Sequence, residues 1–293
     1  MRVAIVFVVL AWASTAGAFC RETTVPIDPT FPSGKCWDQG LPVWWARSCV
    51  GYAVQQDAST QVSAGQVQQI MDTAFSKWSG AACSTGGAPS ITVDFLGDVA
   101  CHTVEYNQSA GNANVIMFDD DKWPYPASAS ADTLALTHIT YNTDTGELYD
   151  ADIEVNTAQN KFSLDGTGTT PDLQAVLTHE TGHFLGLAHS PDPTATMYAK
   201  YVGTSMRSLA PDDVDGICTI YAPDGTRSTA DGGVAAGDCD PTPRHGFASD
   251  CQSDQPSSGC SCTTAPGAGR TSRAWWLAAL LLVRRSTKRR RAR

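Results

Sequence analysis

The chain has 293 residues, 42% of them hydrophobic and 17% charged, enough for one or two domains with a substantial buried core. Its formal charge is −10, yet the segment from Phe19 to Gly269 holds all 30 acidic residues and only 10 basic ones, a net of −20. Such a body repels nucleic acid and anionic lipid, which excludes nucleic acid as a partner; calcium, cationic substrates or a plain solvated surface all suit it.

Residues 1–18, MRVAIVFVVLAWASTAGA, have a basic start, an apolar run and a small-x-small ending, the pattern of a secretory signal cut after Ala18. The run from Val3 to Ala13 is too short to span a bilayer. Bulky Phe19 argues against a lipid on Cys20. In an exported chain the ten cysteines are expected in disulfides. A short extension, 19–42, leads to residues 43–54 (VWWARSCVGYAV), whose β-branched and aromatic content predicts a strand. Ser63 heads a helix to Trp78, with Val67, Ile70, Met71, Ala74, Phe75 and Trp78 at helical spacing. ITVDFLG (91–97) and NVIMFDD (114–120) predict short strands. TLALTHITYN (133–142) and ELYDADIEVN (147–156) predict two more, joined as a hairpin at TDTG. Pro171 opens a second helix, PDLQAVLTHETGHFLG, with Leu173, Val176, Leu177 and Phe184 on its apolar side. The expected fold is α+β, a mixed, twisted five-stranded sheet packed on helices, spanning residues 43–222.

From 223 to 273 Gly, Ser, Thr, Asp and Pro dominate, and a Cys-containing linker is expected. Residues 274–293 join an apolar run, Ala274 to Val283, to a cluster of arginines. Ten helical residues cover about 15 Å of a ~30 Å hydrocarbon core, so this tail is no permanent anchor. Its order resembles the Myxo-CTERM type of bacterial sorting tail. That resemblance implies processing near Cys260 or Cys262, delivery to the cell surface, and membrane contact through the tail alone. Six cysteines lie between Cys20 and Cys218 and allow fifteen pairings; Cys36 with Cys49 and Cys83 with Cys101 are the expected ones.

The stretch LTHETGHFLGLAHS, Leu177 to Ser190, places three of the six histidines and one glutamate in an otherwise apolar run. On a helix His179 and His183, four apart, project from one face. One tetrahedral zinc can take both nitrogens at roughly 2.0–2.1 Å. Glu180 is angled toward that metal but too far round the helix to bind it, so it is placed to hold and deprotonate a water. Gly186 can adopt a left-handed conformation, end the helix and return His189 to the site. Three neutral ligands leave a fourth position for solvent, the arrangement of a catalytic site.

HETGHFLGLAH fits the long zinc motif of the metzincin metallopeptidases at every fixed position. Ser190, ATMY around Met197 and LAPDDVDGICTIYA beyond it resemble the matrixins, the matrix-metalloproteinase-like branch, over about Leu41 to Ala222. The resemblance implies that His179, His183 and His189 bind one zinc, that Glu180 is the general base, and that Met197 forms a hydrophobic Met-turn beneath the metal. It implies further that TLALTHITY is the edge strand that binds a protein or peptide substrate, with Leu134 and Ala135 as main-chain partners. Tyr198 and Tyr201 resemble the wall of the pocket for the residue after the scissile bond. Ala199 stands where matrixins usually carry proline, and small Ala175 lies toward the pocket's base. His102, His138 and His245 do not reproduce the family's second, structural zinc site. Calcium has oxygen ligands of the right kind in FDDDKW (118–123) and DADIE (150–154), which also fit solvated turns. The extension is expected to leave no room for a matrixin propeptide, and Cys36 is expected in a disulfide rather than as a thiolate on the metal. The expectation is a monomeric, secreted or surface-attached zinc endopeptidase. The alternative is a non-catalytic adhesin on the same scaffold, which would have no use for Glu180.

Overall fold

The structure, a computed structural model, describes residues 19–251 apart from Pro29, Ser33 and 126–132. The signal segment, Cys260, Cys262, the sorting tail and the linker from 252 onward therefore lie outside the described residues. The elements in chain order are β1 (Cys20–Arg21), β2 (Arg47–Gln55), α1 (Ala64–Ser79), β3 (Thr92–Val99), β4 (Val115–Phe118), β5 (Ala135–Tyr141) and β6 (Leu148–Val155). Then follow α2 (Leu173–Phe184), β7 (Leu187–Ala188), a 3-10 turn (Thr204–Arg207), α3 (Pro211–Ile220), β8 (Thr226–Thr229), β9 (Gly232–Ala235) and β10 (Gly237–Cys239).

The five expected strands run in the order β3-β2-β4-β6-β5, parallel except for β5, which pairs antiparallel with β6 and forms the edge. The hairpin at 143–146 closes through Gly146, whose N–H donates to the Asn142 carbonyl at 2.8 Å and whose φ is +79°. Strand β2 starts at Arg47, later than its β-rich run. Val43 and Trp44 upstream donate instead to the carbonyls of Glu22 and Gly146.

Alternation along β6 divides the sheet's two faces. Ala151, Ile153 and Val155 join the main core with Val50, Tyr52, Val54 and Ile116. The α1 positions Val67, Met71, Phe75 and Trp78 and the α2 positions Leu173, Val176, Leu177 and Phe184 pack on the same core. Asp150, Asp152 and Glu154 stand on the opposite face, buried. Each fully buried Phe or Leu contributes about 1.5–3 kcal/mol, so packing, more than intrinsic propensity, places these helices. Helix α2 is buried at ten of its twelve residues. Its neighbour α1 is tied to it by Trp78, whose indole N–H lies 2.9 Å from the Thr178 carbonyl and 3.0 Å from the Thr181 hydroxyl. No helix among the described residues is long and apolar enough to cross a membrane.

Two expectations are corrected. The stretch expected as a linker from 223 builds β8, β9 and β10, and β10 adds to the main sheet by pairing parallel with the start of β2. Arg227 in β8 is fully buried, its guanidinium donating to the carbonyls of Trp45, Arg47 and Ser90. One buried cation with many acceptors thus fastens a segment that has few apolar side chains. The disulfides are Cys20–Cys36, Cys49–Cys239, Cys83–Cys218 and Cys101–Cys251, not Cys36–Cys49 and Cys83–Cys101. The eight residues of β3 lie between Cys83 and Cys101 and span about 26 Å, far beyond the ~7 Å Cα separation that a disulfide tolerates.

Candidate active site

Asp172 caps α2, its Oδ1 accepting from the Ala175 N–H at 2.8 Å. Arg207, ten residues beyond Met197, grips the same carboxylate through Nε at 2.6 Å and Nη2 at 2.5 Å. At the other end side chains take the carbonyls that have no helical partner. The Trp45 indole donates to Phe184 O at 2.8 Å and the Tyr221 hydroxyl to Leu185 O at 2.9 Å. Gly186 then turns the chain at φ +91°, its N–H bonded to the His183 carbonyl at 2.8 Å. A Cβ there would sit 3.1 Å from Val43 O, so both backbone conformation and space call for glycine. The turn leads through β7 to His189.

As a result one ring nitrogen of each of His179, His183 and His189 lies within 4.8 Å of the others. The Nε2 atoms of His179 and His183 are 3.2 Å apart, against about 3.3 Å for two ligands of one tetrahedral zinc with ~2.0–2.1 Å bonds. Their Nδ1 atoms face carbonyls, Thr196 O at 2.7 Å and Leu187 O at 2.8 Å. A carbonyl only accepts, so each Nδ1 carries the proton and each Nε2 keeps its lone pair for a metal. Burial, then the neighbouring His183, lowers the His179 pKa to about 3, which keeps that ring neutral. For His183 burial pulls the same way, but Glu22 and Glu180 carry its proton affinity above the ordinary value. His179 is buried and His189 faces solvent, so the array is walled on one side and open on the other. Three converged imidazoles, two of them with Nε2 lone pairs turned to the common point, fit zinc. A second cluster, Cys101, Glu105 and Cys251, offers no thiolate, because its cysteines are disulfide-bonded.

Glu180 is buried beside this array. Burial raises its carboxyl above the ordinary range, against the opposing pull of His183 and of a hydroxyl from the edge strand. That hydroxyl is Thr137 Oγ1 in β5, which donates to Glu180 Oε2 at 2.7 Å. Met197 is buried beneath the helix, against Gly182, where a Cβ would meet its sulfur at 2.2 Å. The turn that carries it is held by Asp213, which accepts from the N–H groups of Thr196 at 2.7 Å and Met197 at 3.0 Å.

The remaining site residues separate into two groups. Ala135 opens the edge strand opposite Val155, and Leu134 just before it gives its carbonyl to the Asn156 N–H at 2.9 Å. Tyr198 follows Met197, and the Tyr201 hydroxyl accepts from the Asp172 N–H at 2.9 Å, which puts that tyrosine at the entrance of α2. His138 lies apart from the three converged histidines, bonded to Tyr125 at 2.9 Å and Glu154 at 2.8 Å, while His102 and His245 are exposed. Sequence reasoning missed Thr137, Glu22 and the role of Asp213. Asp213 lies in the quoted LAPDDVDG run, but nothing in the spacing of the other two relates them to the motif.

Residues 43–222 match the profile of the peptidase M10 family, described as Matrixin. The chain belongs to the matrixin family. Among curated matrixin relatives, human neutrophil collagenase is 44% identical over 78 residues, covering 26% of this chain and 17% of its own length. Interstitial collagenase of Sus scrofa is 50% identical over 52 residues, 18% of this chain and 11% of its own length. Metalloendoproteinase 1 of Glycine max is 36% identical over 150 residues, half of this chain and 43% of its own. The matches span less than half the length of these relatives. As a matrixin domain the chain has the α+β metzincin-like fold, and its three converged histidines are the part that fits a zinc site.

Proposed function

We propose that this chain is an exported zinc-dependent endopeptidase that hydrolyses protein or peptide substrates, with Glu180 as general base. The observation that carries the reading is the convergence of three imidazoles on one point beside a buried carboxylate. When bound by His179, His183 and His189, zinc supplies Lewis-acid polarisation of the scissile carbonyl and lowers the pKa of water to about 7. The chain's own residues do the rest. Glu180 takes the proton of the attacking water and passes it to the leaving amine, and Thr137 holds its carboxylate in position. The outer edge of β5 receives the extended substrate by strand addition, with the main chain at Leu134 and Ala135 nearest the scissile bond. Tyr198, Tyr201 and, at the base, Ala175 shape the pocket for the residue that follows. Met197 supports the ligand helix from below. A pure binding module has no need of a buried, hydrogen-bonded base next to the metal.

Calcium belongs to the same reading, placed at Asp150 and Asp152. Oδ1 of Asp150 is buried without a hydrogen-bond partner, and in FDDDKW the same holds for Oδ2 of Asp119. Four disulfides in the described residues support export, and removal of residues 1–18 with processing of the tail completes it. We take the enzyme to act as a monomer, outside the cell or on its surface.

The test is clearing of casein or gelatin by the wild type and by Glu180→Ala, with and without o-phenanthroline. Loss of the base lowers turnover about 10²–10⁴-fold, and the chelator abolishes it. Clearing that survives both treatments overturns zinc catalysis. A wild type that clears neither protein but cuts one surface protein narrows the substrate to a single processing target.

A further inference from the structure

Residues 19–42 precede the matrixin match, yet they reach the metal site. Strand β1 pairs antiparallel with β7, the two-residue strand between the Gly186 turn and His189, with Cys20 opposite Ala188 and Arg21 opposite Leu187. The next residue, Glu22, is fixed on both sides. Its N–H donates to Gly186 O at 3.0 Å and its carbonyl accepts from the Val43 N–H at 2.9 Å. Arg21, donating to Val43 O at 2.8 Å, and the Cys20–Cys36 disulfide hold the same strand. So anchored, Glu22 brings Oε1 to 3.3 Å from Nδ1 of His183. That is the back of the ring; the front, Nε2, faces Nε2 of His179. The one proton on Nδ1 therefore lies between two acceptors, the neutral Leu187 carbonyl and an anionic carboxylate. Among the described residues, Nδ1 of His179 faces the Thr196 carbonyl and no carboxylate is bonded to it.

We propose that Glu22 is a positioning residue for zinc, acting through His183 as a carboxylate behind a ligand imidazole. The inference rests on the zinc reading above. A carbonyl already fixes the tautomer, so the carboxylate's contribution is charge: it pulls the Nδ1 proton toward itself and makes Nε2 the stronger donor. It also locks the ring plane from outside the helix. Groups in this relation to a ligand typically change metal affinity 10–100-fold. The backbone bonds of Glu22 do not involve its side chain, so its charge can be removed without releasing the strand.

The experiment compares full-length wild type, Glu22→Gln and Glu22→Asp. Each is assayed for zinc affinity against a chromophoric chelator, for the d–d absorption of the cobalt-substituted protein, and for the Tm of the metal-free protein. Glu22→Gln should bind zinc about 10–100-fold more weakly and shift the cobalt bands, with an unchanged metal-free Tm. Glu22→Asp, which keeps the charge, should fall between. Zinc affinity and cobalt bands equal to wild type in Glu22→Gln overturn the inference, whatever the Tm does. A wild type without a tight zinc site overturns the parent reading, and this one with it.

Discussion

Thr137 is the side chain on which the pH behaviour of the proposed base turns. Glu180 is pushed above the ordinary carboxylate range by burial, and the Thr137 hydroxyl opposes that rise by bonding to its ionised form. Replacing Thr137 by Val keeps the shape and removes the donor, so the Glu180 pKa must rise further. A general base works only when ionised. The acid limb of kcat/KM should therefore move to higher pH in Thr137→Val, with the alkaline limb unmoved. A pH–rate profile with an unshifted acid limb refutes this role. Gly182 illustrates a steric demand at the same scale: its missing side chain is the space that the Met197 sulfur fills.

Strand β6 works differently on its two faces. One face supplies the apolar core, while the other stacks Asp150, Asp152 and Glu154 in a buried ladder. Asp152 has backbone partners, Val115 N–H at 2.7 Å and Glu105 N–H at 3.2 Å, whereas Oδ1 of Asp150 has none. Burial raises the proton affinity of both, and Asp150 is raised further by Asp152 and Glu105. An acid whose folded pKa is raised favours the fold while protonated, below the ordinary value near 4. That stability is lost as pH climbs through the raised folded value. In calcium-free buffer Asp150→Asn should match wild type near pH 4 and exceed it at pH 8. A gain of about 1 kcal/mol corresponds to roughly 2–4 °C in Tm for a chain of this size. Added calcium should raise the Tm of the wild type and leave that of Asp150→Asn unmoved. Equal thermal curves for the two proteins at pH 8 without calcium refute the repulsion.

Across the molecule, disulfides join segments that the sequence keeps far apart. Cys49–Cys239 and Cys101–Cys251 close separations of 190 and 150 residues and fix the segment after α3 onto the sheet. Loops of that length restrict the unfolded chain strongly, so removing one such link destabilises by roughly 2–5 kcal/mol. The double variant Cys49→Ser/Cys239→Ser should lose stability by that amount in chemical denaturation, with β10 as the first element to exchange its amide hydrogens. An unchanged midpoint would show that Arg227 and packing alone hold the segment. A chain ended at Ala222 would also leave Cys49 and Cys101 without partners. The unit for cleavage-site profiling must therefore reach Cys251.

The zinc motif, the Gly186 turn, helices α1 and α2 and the five main strands were legible in the sequence, because each depends on residues within a turn or two of one another. Four apart on a helix, two apart on a strand, a glycine where the chain must reverse: such spacings carry their geometry with them. What the tertiary structure alone decided is non-local. The cysteine pairing is non-local: β3 runs between Cys83 and Cys101, and Cys36 and Cys49 are taken by β1 and β10. Strand β10 was hidden in a polar run, since its pairing uses backbone bonds and the Cys49–Cys239 disulfide in place of apolar side chains. Thr137 and Glu22 meet Glu180 and His183 across 43 and 161 positions of sequence. Only the packing of an edge strand and an N-terminal strand against one helix brings those pairs within hydrogen-bonding reach.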